Sequence, residues 1–138
     1  MKMFLGEYNP NLTEGSRLAL PKKMREQIAS DQVVLTKGFE KCVYIFDKED
    51  WSEQAIKQIE NSSIEGQGKI RDLERYIYTS AVESNVDAQG RFVVPSSLTD
   101  YAEISDSTTI VGVGNRIEIW SKNNWEEYKH KISAALSN

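Results

Sequence analysis

The sequence contains little of the chemistry on which many enzymes and metal sites depend. One cysteine, Cys42, and one histidine, His130, occur in 138 residues. A single cysteine excludes a disulfide within the chain, and a single histidine leaves almost no material for a histidine-based triad or a metal cluster. Cys42 lies in the apolar run CVYIF, which predicts a buried thiol and not a nucleophile. The composition favours a protein that is not an enzyme and that holds no metal or cofactor.

Long apolar segments are also lacking. No apolar run approaches the roughly 18 residues that a membrane-spanning helix needs. The start of the chain, MKMFLGEY, is too short and reaches an acidic residue too early for a signal peptide. We therefore expect a cytoplasmic protein without a membrane partner.

The chain nearly repeats itself. A shift of 74 positions places residues 11–51 over residues 85–125 without a gap, and seven of the 41 aligned pairs are identical. Chance would give about two or three. Two unrelated stretches with similar turns are the alternative, but they do not readily explain an ungapped register. We interpret the pattern as a duplication, and since units of about 40 to 45 residues are marginal alone, we expect the two to pack together. The identical pairs are Asn11/Asn85, Arg17/Arg91, Pro21/Pro95, Gly38/Gly112, Ile45/Ile119, Lys48/Lys122 and Trp51/Trp125.

Each copy has the pattern of a strand, a tight turn, a second strand, a short helix, a hairpin and a longer helix. In the second copy the turn covers residues 87–90, and Arg91 is the first residue after it. Pro95 lies where the short helix should begin. In the first copy, NLTEGSRLALP has the same pattern, and PKKMREQIA opens a short basic helix. The candidate cap residues of the second short helix are Ser96, Ser97 and Thr99.

Between the copies, NSSIEGQG has the composition of a linker. The following stretch predicts a helix that bridges the two copies, with Ile70, Leu73 and Ile77 on one face. Trp51 and Trp125 occupy equivalent positions in the two longer helices. A ligand-binding role is one interpretation of this pair, but anchors that pack each helix on its hairpin are the favoured one.

The charge is unevenly distributed. The net charge is −4, but residues 1–25 carry five basic and two acidic side chains, while the remainder carries 12 basic and 19 acidic ones. A basic pole on an acidic body suits a protein that touches a polyanion through one face. A solvated junction between a loop and a helix is the alternative that charge alone leaves open.

The paired D-x-x-G-R-like turns that lead into apolar runs and a proline resemble the AbrB-like swapped-hairpin DNA-binding fold. The stretches MFLGEYNPNL and IVGVGNRIEIWSKNNWEEY, and two such units in one chain, are similar to the MraZ family specifically. This resemblance implies an α+β fold of tandem AbrB-like swapped-hairpin β-barrel units with short helices and a pseudo-two-fold axis. The first repeat would cover residues 3–60, the linker and bridging helix 61–80, and the second repeat 81–134.

The resemblance also implies a function. Members of the MraZ family are bacterial, nucleoid-associated transcriptional regulators of the division and cell-wall gene cluster. They bind G-rich direct repeats in promoter DNA as homo-oligomeric rings of many subunits. An antitoxin-like or scaffold module of the same fold, which binds a protein partner, is the alternative.

Five basic residues are the candidate DNA contacts. Arg17 should enter the major groove, where its planar fork meets guanine O6 and N7. Lys22, Lys23 and Arg25 should neutralise phosphates and set the register. Arg91 is either a second DNA contact or an ion-pair strut, and the strut is also the alternative for Arg17. We expect the DNA-binding face to be weighted to the N-terminal half.

Two features depart from the pattern of the family. The paired turns are usually D-x-x-x-R in both halves, and the second half keeps Asp87, while the first half has Thr13. A hydroxyl cannot hold an arginine as a carboxylate would. The first-half glycine, Gly15, also lies one place earlier, so we expect the two turns to differ. Arg116, in the turn GVGNR, should pack at a subunit boundary or lie in solvent.

Overall fold

The computed structural model describes residues 2–137, which form an α+β fold, as expected. The eight strands of this part of the chain are β1 (Glu7–Tyr8), β2 (Arg17–Ala19), β3 (Gln32–Lys37), β4 (Val43–Asp47), β5 (Val82–Asn85), β6 (Arg91–Val93), β7 (Thr108–Val113) and β8 (Arg116–Ser121). Its five α-helices are α1 (Lys22–Arg25), α2 (Trp51–Glu60), α3 (Gln67–Ser80), α4 (Ser96–Tyr101) and α5 (Lys122–Leu136), and a 3₁₀ turn covers Lys48–Asp50. None of the helices described is long and apolar enough to cross a membrane.

The two copies of the repeat contain the same elements in the same order. After the tight turn, β2 and β6 are each followed by a short helix, α1 or α4. The hairpins β3–β4 and β7–β8 follow, and then the longer helices α2 and α5. The predicted order of elements is confirmed, and α3 lies between the copies.

Proline starts both short helices. Pro21 and Pro95 occupy the N-cap positions of α1 and α4, with φ of −54° and −60°. No side chain caps the first turn of either helix. The expectation that Ser96, Ser97 or Thr99 caps the second helix is wrong, because Pro95 takes the cap position and these three residues are already helical.

The two copies exchange strands in one antiparallel sheet. Its order is β1-β7-β8-β4-β3-β5, so the two hairpins lie side by side at its centre. Strand β5 of the second copy pairs with β3 of the first, with Val82 opposite Leu35. Strand β1 of the first copy pairs with β7 of the second, with Tyr8 opposite Ile110. Each copy therefore completes the sheet of the other.

Strands β2 and β6 form a separate two-stranded ribbon, again with one strand from each copy. Leu18 and Phe92 pair at its centre, and both side chains are buried. Their neighbours on either side are exposed, since side chains along a strand alternate between two faces. The ribbon therefore has one face in the core and one face in solvent.

One hydrophobic core joins the copies, because buried side chains from both contribute to it. Burial of this apolar surface is the main term that favours folding. The members from the first copy are Phe4, Leu18, Leu20, Met24, Val33, Leu35, Val43 and Ile45, and those from the second are Phe92, Val94, Leu98, Ala102, Ile110, Ile117 and Ile119.

The two tryptophans pack as anchors, which confirms the favoured interpretation. The ring of Trp51 lies 5.6 Å from that of Phe46, and the ring of Trp125 lies 5.3 Å from that of Trp120. Each therefore holds a longer helix against a strand of its own hairpin. Cys42 is buried in the same region, as predicted.

Helix α3 packs on β3 and α2 through Leu73 and Ile77, which are buried. Ile70 lies on the same face by its helical spacing, as predicted, but it is 37% exposed. It lies in the first turn of the helix, before the helix reaches the sheet. The hydroxyl of Tyr76 donates to that of Tyr101 in α4 at 2.7 Å, which links α3 to the second copy.

Candidate nucleic-acid interface

The exposed face of the ribbon bears an arginine from each copy. Arg17 lies directly opposite Val93, and Ala19 lies directly opposite Arg91. Residues that face each other across an antiparallel pair share one side of it. All four side chains are exposed, and the two arginines occupy diagonal corners of the face.

The second-half turn holds its arginine firmly. The carboxylate of Asp87 accepts the backbone N–H of Arg91 at 2.9 Å and that of Gln89 at 2.9 Å. It also accepts Arg91 Nε at 3.0 Å. The backbone N–H of Arg91 is the largest influence that lowers the pKa of Asp87. Arg91 is therefore paired within its own turn, and this pairing occupies Nε but leaves the two Nη groups for other partners.

The first-half turn holds its arginine only through the backbone. The Thr13 hydroxyl donates to the carbonyl oxygen of Arg17 at 3.2 Å, and among the described residues no hydrogen bond joins it to the guanidinium. Within residues 2–137 the Arg17 side chain makes no ion pair. Two consecutive residues, Gly15 and Ser16, have positive φ, whereas the second-half turn has only Gly90. The expectation that the two turns differ is confirmed.

Arg25 connects the first copy to the second-half turn. Its Nη1 donates to the carbonyl oxygen of Ala88 at 3.1 Å. Gly90, with φ of +81°, lies so close that a methyl group placed on it would be 2.9 Å from Arg25 Cδ. The predicted phosphate contact at Arg25 therefore coincides with a contact that fixes the ribbon.

Lys22 and Lys23 are exposed at the start of α1. Lys22 lies 3.9 Å from Glu26, a separation at which an exposed ion pair contributes little. Lys2 belongs to the same basic segment of the sequence, but it is paired with Asp50 at 2.8 Å and Asp47 at 3.2 Å. Asp50 is the first cause of the raised pKa of Lys2. The charge of Lys2 is therefore balanced within the chain.

Arg116 is engaged inside the chain. Its Nη2 lies 2.9 Å from the buried carboxylate of Glu118, and its guanidinium lies 4.7 Å from the centre of the Tyr44 ring. Of the two places expected for Arg116, a place in solvent is wrong, because Glu118 is buried and needs a charged partner. A place at a subunit boundary stays a prediction.

Sequence reasoning missed the two other residues of the exposed face, Ala19 and Val93. Alternation along β2 and β6 places them outward once each arginine is outward. The pairing of β2 with β6, however, joins segments about 74 residues apart, and no local pattern reveals it. Among the residues described, no group of three or more His, Cys, Asp or Glu side chains is arranged to hold a metal ion.

Comparison with known proteins identifies the family. The sequence model described as "MraZ protein, putative antitoxin-like" matches residues 3–72 and 77–138, and the short gap between the two matches lies within α3. The chain belongs to the MraZ family. The two matches correspond to the two copies of the repeat, which agrees with the resemblance drawn from the sequence.

Relatives in the MraZ family are similar over nearly the whole chain. A protein of Micrococcus luteus is 38% identical over 135 residues, which is 98% of this chain and 92% of the relative. A protein of Desulforamulus reducens is 34% identical and covers 97% of this chain and 92% of the relative. A third, from Oenococcus oeni, is 39% identical and covers 91% and 86%. All three are named "Transcriptional regulator MraZ", which agrees with the expectation that the chain is not an enzyme.

Proposed function

We propose that the protein is a sequence-specific DNA-binding transcriptional regulator that places the β2–β6 ribbon in the major groove. The observation that carries the proposal is the position of Arg17 and Arg91, one from each copy, on one exposed face of this ribbon. The major groove is about 12 Å wide and admits a two-stranded ribbon. Each guanidinium fork can meet guanine O6 and N7, and a good contact of this kind contributes about 1 to 3 kcal/mol of discrimination.

The side chains of the two arginines differ in conformational freedom in this arrangement. Arg91 is oriented by Asp87 through Nε, so that its Nη groups are the ones available to a base. Arg17 has no such partner in the part of the chain described, and it must be ordered by the DNA itself. Ordering a long side chain costs free energy, so the Arg17 contact should be the more adaptable of the two.

The basic residues of α1 supply the contacts to the DNA backbone. Lys22 and Lys23 are exposed just after the end of β2, and Arg25 lies beside the second-half turn. Contacts from such residues neutralise phosphates and set the register of the protein on the duplex. They also release counterions, so binding should weaken steeply as salt increases.

The DNA target and the assembly follow from the resemblance to the MraZ family. We propose G-rich direct promoter repeats upstream of the division and cell-wall gene cluster as the target, in the cytoplasm and on the nucleoid. Residues 3–60 and 81–134 would form two AbrB-like swapped-hairpin units joined by residues 61–80, and several chains would assemble into a ring. Linked engagement of several repeats raises affinity by roughly 100 to 10,000-fold, which compensates for the few contacts of one chain.

A protein-binding role is the second candidate, because the matching family description contains the word "antitoxin-like". An antitoxin-like or scaffold module would use the same fold to hold a protein partner. If the protein has this role, it should bind DNA with no preference for sequence.

Fluorescence anisotropy with a labelled duplex tests the proposal. The duplex carries several spaced G-rich repeats, a scrambled duplex serves as the reference, and each titration is repeated across a salt series. Arg17→Ala should lose the preference for the repeats while its assembly size stays unchanged. Arg71→Ala is the matched control, because Arg71 is an exposed arginine of α3 on another part of the molecule.

Two results would contradict the proposal. One is equal and weak binding of the wild type to both duplexes, which would favour the protein-binding candidate. The other is full retention of the preference by Arg17→Ala, which would place the reading surface elsewhere.

A further inference from the structure

We infer that Val93 is a specificity-determining residue that contacts the C5-methyl group of a thymine beside the guanine contacted by Arg17. The inference rests on the proposed function, since it requires the ribbon to lie in the major groove. It adds an apolar contact to the contacts that the proposed function assigns to basic side chains.

Val93 presents an aliphatic side chain on the exposed face of the ribbon. It is 42% exposed, although it lies in a strand whose other face is buried in the core. It occupies the same face as the two arginines and lies directly opposite Arg17. The exposed part of the Val93 side chain is open to a partner, and a thymine methyl in the groove would cover it.

The backbone around Val93 is held in place. Ser84 Oγ accepts the N–H of Val93 at 3.2 Å and donates to its carbonyl oxygen at 3.0 Å. These bonds tie β6 to β5 and hence to the six-stranded sheet. A β-branched side chain on a fixed strand has few rotamers, so its methyl groups point outward in a defined direction.

The spacing across the ribbon is comparable to the distance between neighbouring base pairs. The Cβ atoms of directly opposite residues are about 4.5 to 5.5 Å apart, and successive bases rise by about 3.4 Å. Arg17 lies back along its turn, since a methyl group placed on Gly15 would be 3.0 Å from Arg17 Nη1. In the chain without DNA the guanidinium therefore lies beside Gly15, and it would move out from there to meet the guanine beside the thymine.

Thymine is the base that fits this contact. In the major groove it alone among the four bases presents a methyl group, and apolar side chains meet it there. Ala19 occupies the equivalent place beside Arg91, but it offers a single methyl group. The contact should therefore be stronger at the Arg17 end of the ribbon than at the Arg91 end.

Replacement of thymine by deoxyuridine removes only the methyl group and tests the inference directly. The experiment uses the full chain and G-rich repeat duplexes in which one thymine is placed in turn at each position flanking the guanines, with a deoxyuridine twin of each. At one position the wild type should lose about fourfold in affinity on the deoxyuridine duplex, which corresponds to the burial of one methyl group. Val93→Ala should bind the thymine duplex up to about fourfold more weakly, and its further loss on deoxyuridine should be smaller than that of the wild type.

Two variants complete the design. Val113→Ala changes another exposed valine, at the end of β7, and should keep the full effect of deoxyuridine. Val93→Thr keeps the branched shape and one methyl group. It replaces Val93→Ala in the comparison of thymine and deoxyuridine duplexes if circular dichroism finds the alanine variant unfolded. The threonine variant should lose less affinity on deoxyuridine than the wild type does.

The outcomes separate this inference from the proposed function. Preference for the repeats with no deoxyuridine effect at any position would overturn the inference and leave the proposed function intact. A full deoxyuridine effect in Val93→Ala, or in Val93→Thr where that variant is used, would also overturn it. Absence of any preference for the repeats would overturn both.

Discussion

Arg25 donates a hydrogen bond from Nη1 to the carbonyl oxygen of Ala88, although 63 residues separate the two in the chain. The bond ties the short helix of the first copy to the arginine-bearing turn of the second. The end of the ribbon that presents Arg91 is therefore positioned by a residue of the opposite copy. Contact between the copies contributes to the shape of the exposed face.

Substitution of Arg25 should lower stability as well as DNA binding. Arg25→Ala removes one hydrogen bond, whose net contribution is about 1 kcal/mol, and the packing of the arginine stem on Gly90. We expect the free energy of unfolding, measured by urea denaturation, to fall by about 1 kcal/mol. Lys22→Ala is the control, because Lys22 is exposed, and it should change stability by less than about 0.5 kcal/mol. Equal stability of the two variants would contradict a tie between the copies.

Asp87 should orient Arg91 for DNA. Asp87→Asn keeps an oxygen that can accept the two backbone N–H groups of the turn, but it loses the charge that pairs with Arg91 Nε. We expect affinity for the repeat duplex to fall by about two- to fivefold, the range of an exposed ion pair. Affinity for the scrambled duplex should not fall, since the variant removes a negative charge near DNA. An equal loss on both duplexes would show that Asp87 acts on the fold alone.

A buried carboxylate should make stability depend on pH in the acid range. Asp47 is buried and accepts hydrogen bonds from the Ala29 N–H at 2.6 Å and Ser30 Oγ at 2.6 Å, and it lies 3.2 Å from Lys2 Nζ. Burial by itself would raise the pKa of Asp47, but the hydrogen bonds and Lys2 outweigh it and lower the pKa. The carboxylate therefore contributes stability above its unfolded pKa near 3.9, and this contribution is lost as pH falls through the lower folded pKa.

Asp47→Asn should remove this dependence. We expect urea denaturation at pH 7 to give a loss of about 2 to 3 kcal/mol, typical of hydrogen bonds to a charged group. The difference from the wild type should shrink when the measurement is repeated near pH 3. Asp72→Asn is the control, because its carboxylate is exposed and paired only with Arg75 on the helix surface. A difference that stays constant between the two pH values would contradict the role of ionised Asp47.

Cys42 should be unreactive in the folded protein. Its side chain is buried, and burial is the first cause that raises the pKa of the thiol, so almost no thiolate is present at neutral pH. We expect no reaction with a disulfide reagent over an hour at pH 8, and one thiol per chain once denaturant is added. A Ser63→Cys variant, which adds a thiol in the exposed linker, should react within minutes. Fast labelling of the wild type would contradict the buried position.

Much of this architecture could be predicted because the duplication repeats local signals. The hairpins follow from apolar runs on either side of a glycine-bearing turn, and Pro21 and Pro95 mark the two short helices in both copies. The error over the helix caps has a local cause, since a proline and a serine compete for one position. The exposure of Ile70 could not be predicted, because helical periodicity predicts a face and does not tell where along the helix that face meets the sheet.

The candidate site was harder to predict, because it depends on pairing between distant segments. The sequence identified Arg17 and Arg91 through their turns, but the ribbon that places them together joins residues far apart in the chain. Val93 lies in an apolar run and reads as a core residue until its partner strand is known. Arg116 was expected at a boundary or in solvent, since the sequence does not reveal that Glu118 is buried beside it.

The exchange of strands has a consequence for the history of the chain. A single repeat leaves its hairpin without the strand that the other copy provides, so an ancestor with one repeat would reach this arrangement only as a dimer of identical chains. Fusion of two genes removes the requirement for identity. Each half is then free to accumulate its own changes, and the contrast between Thr13 and Asp87, or between the basic start of α1 and the serines of α4, is the kind of divergence that such a fusion permits.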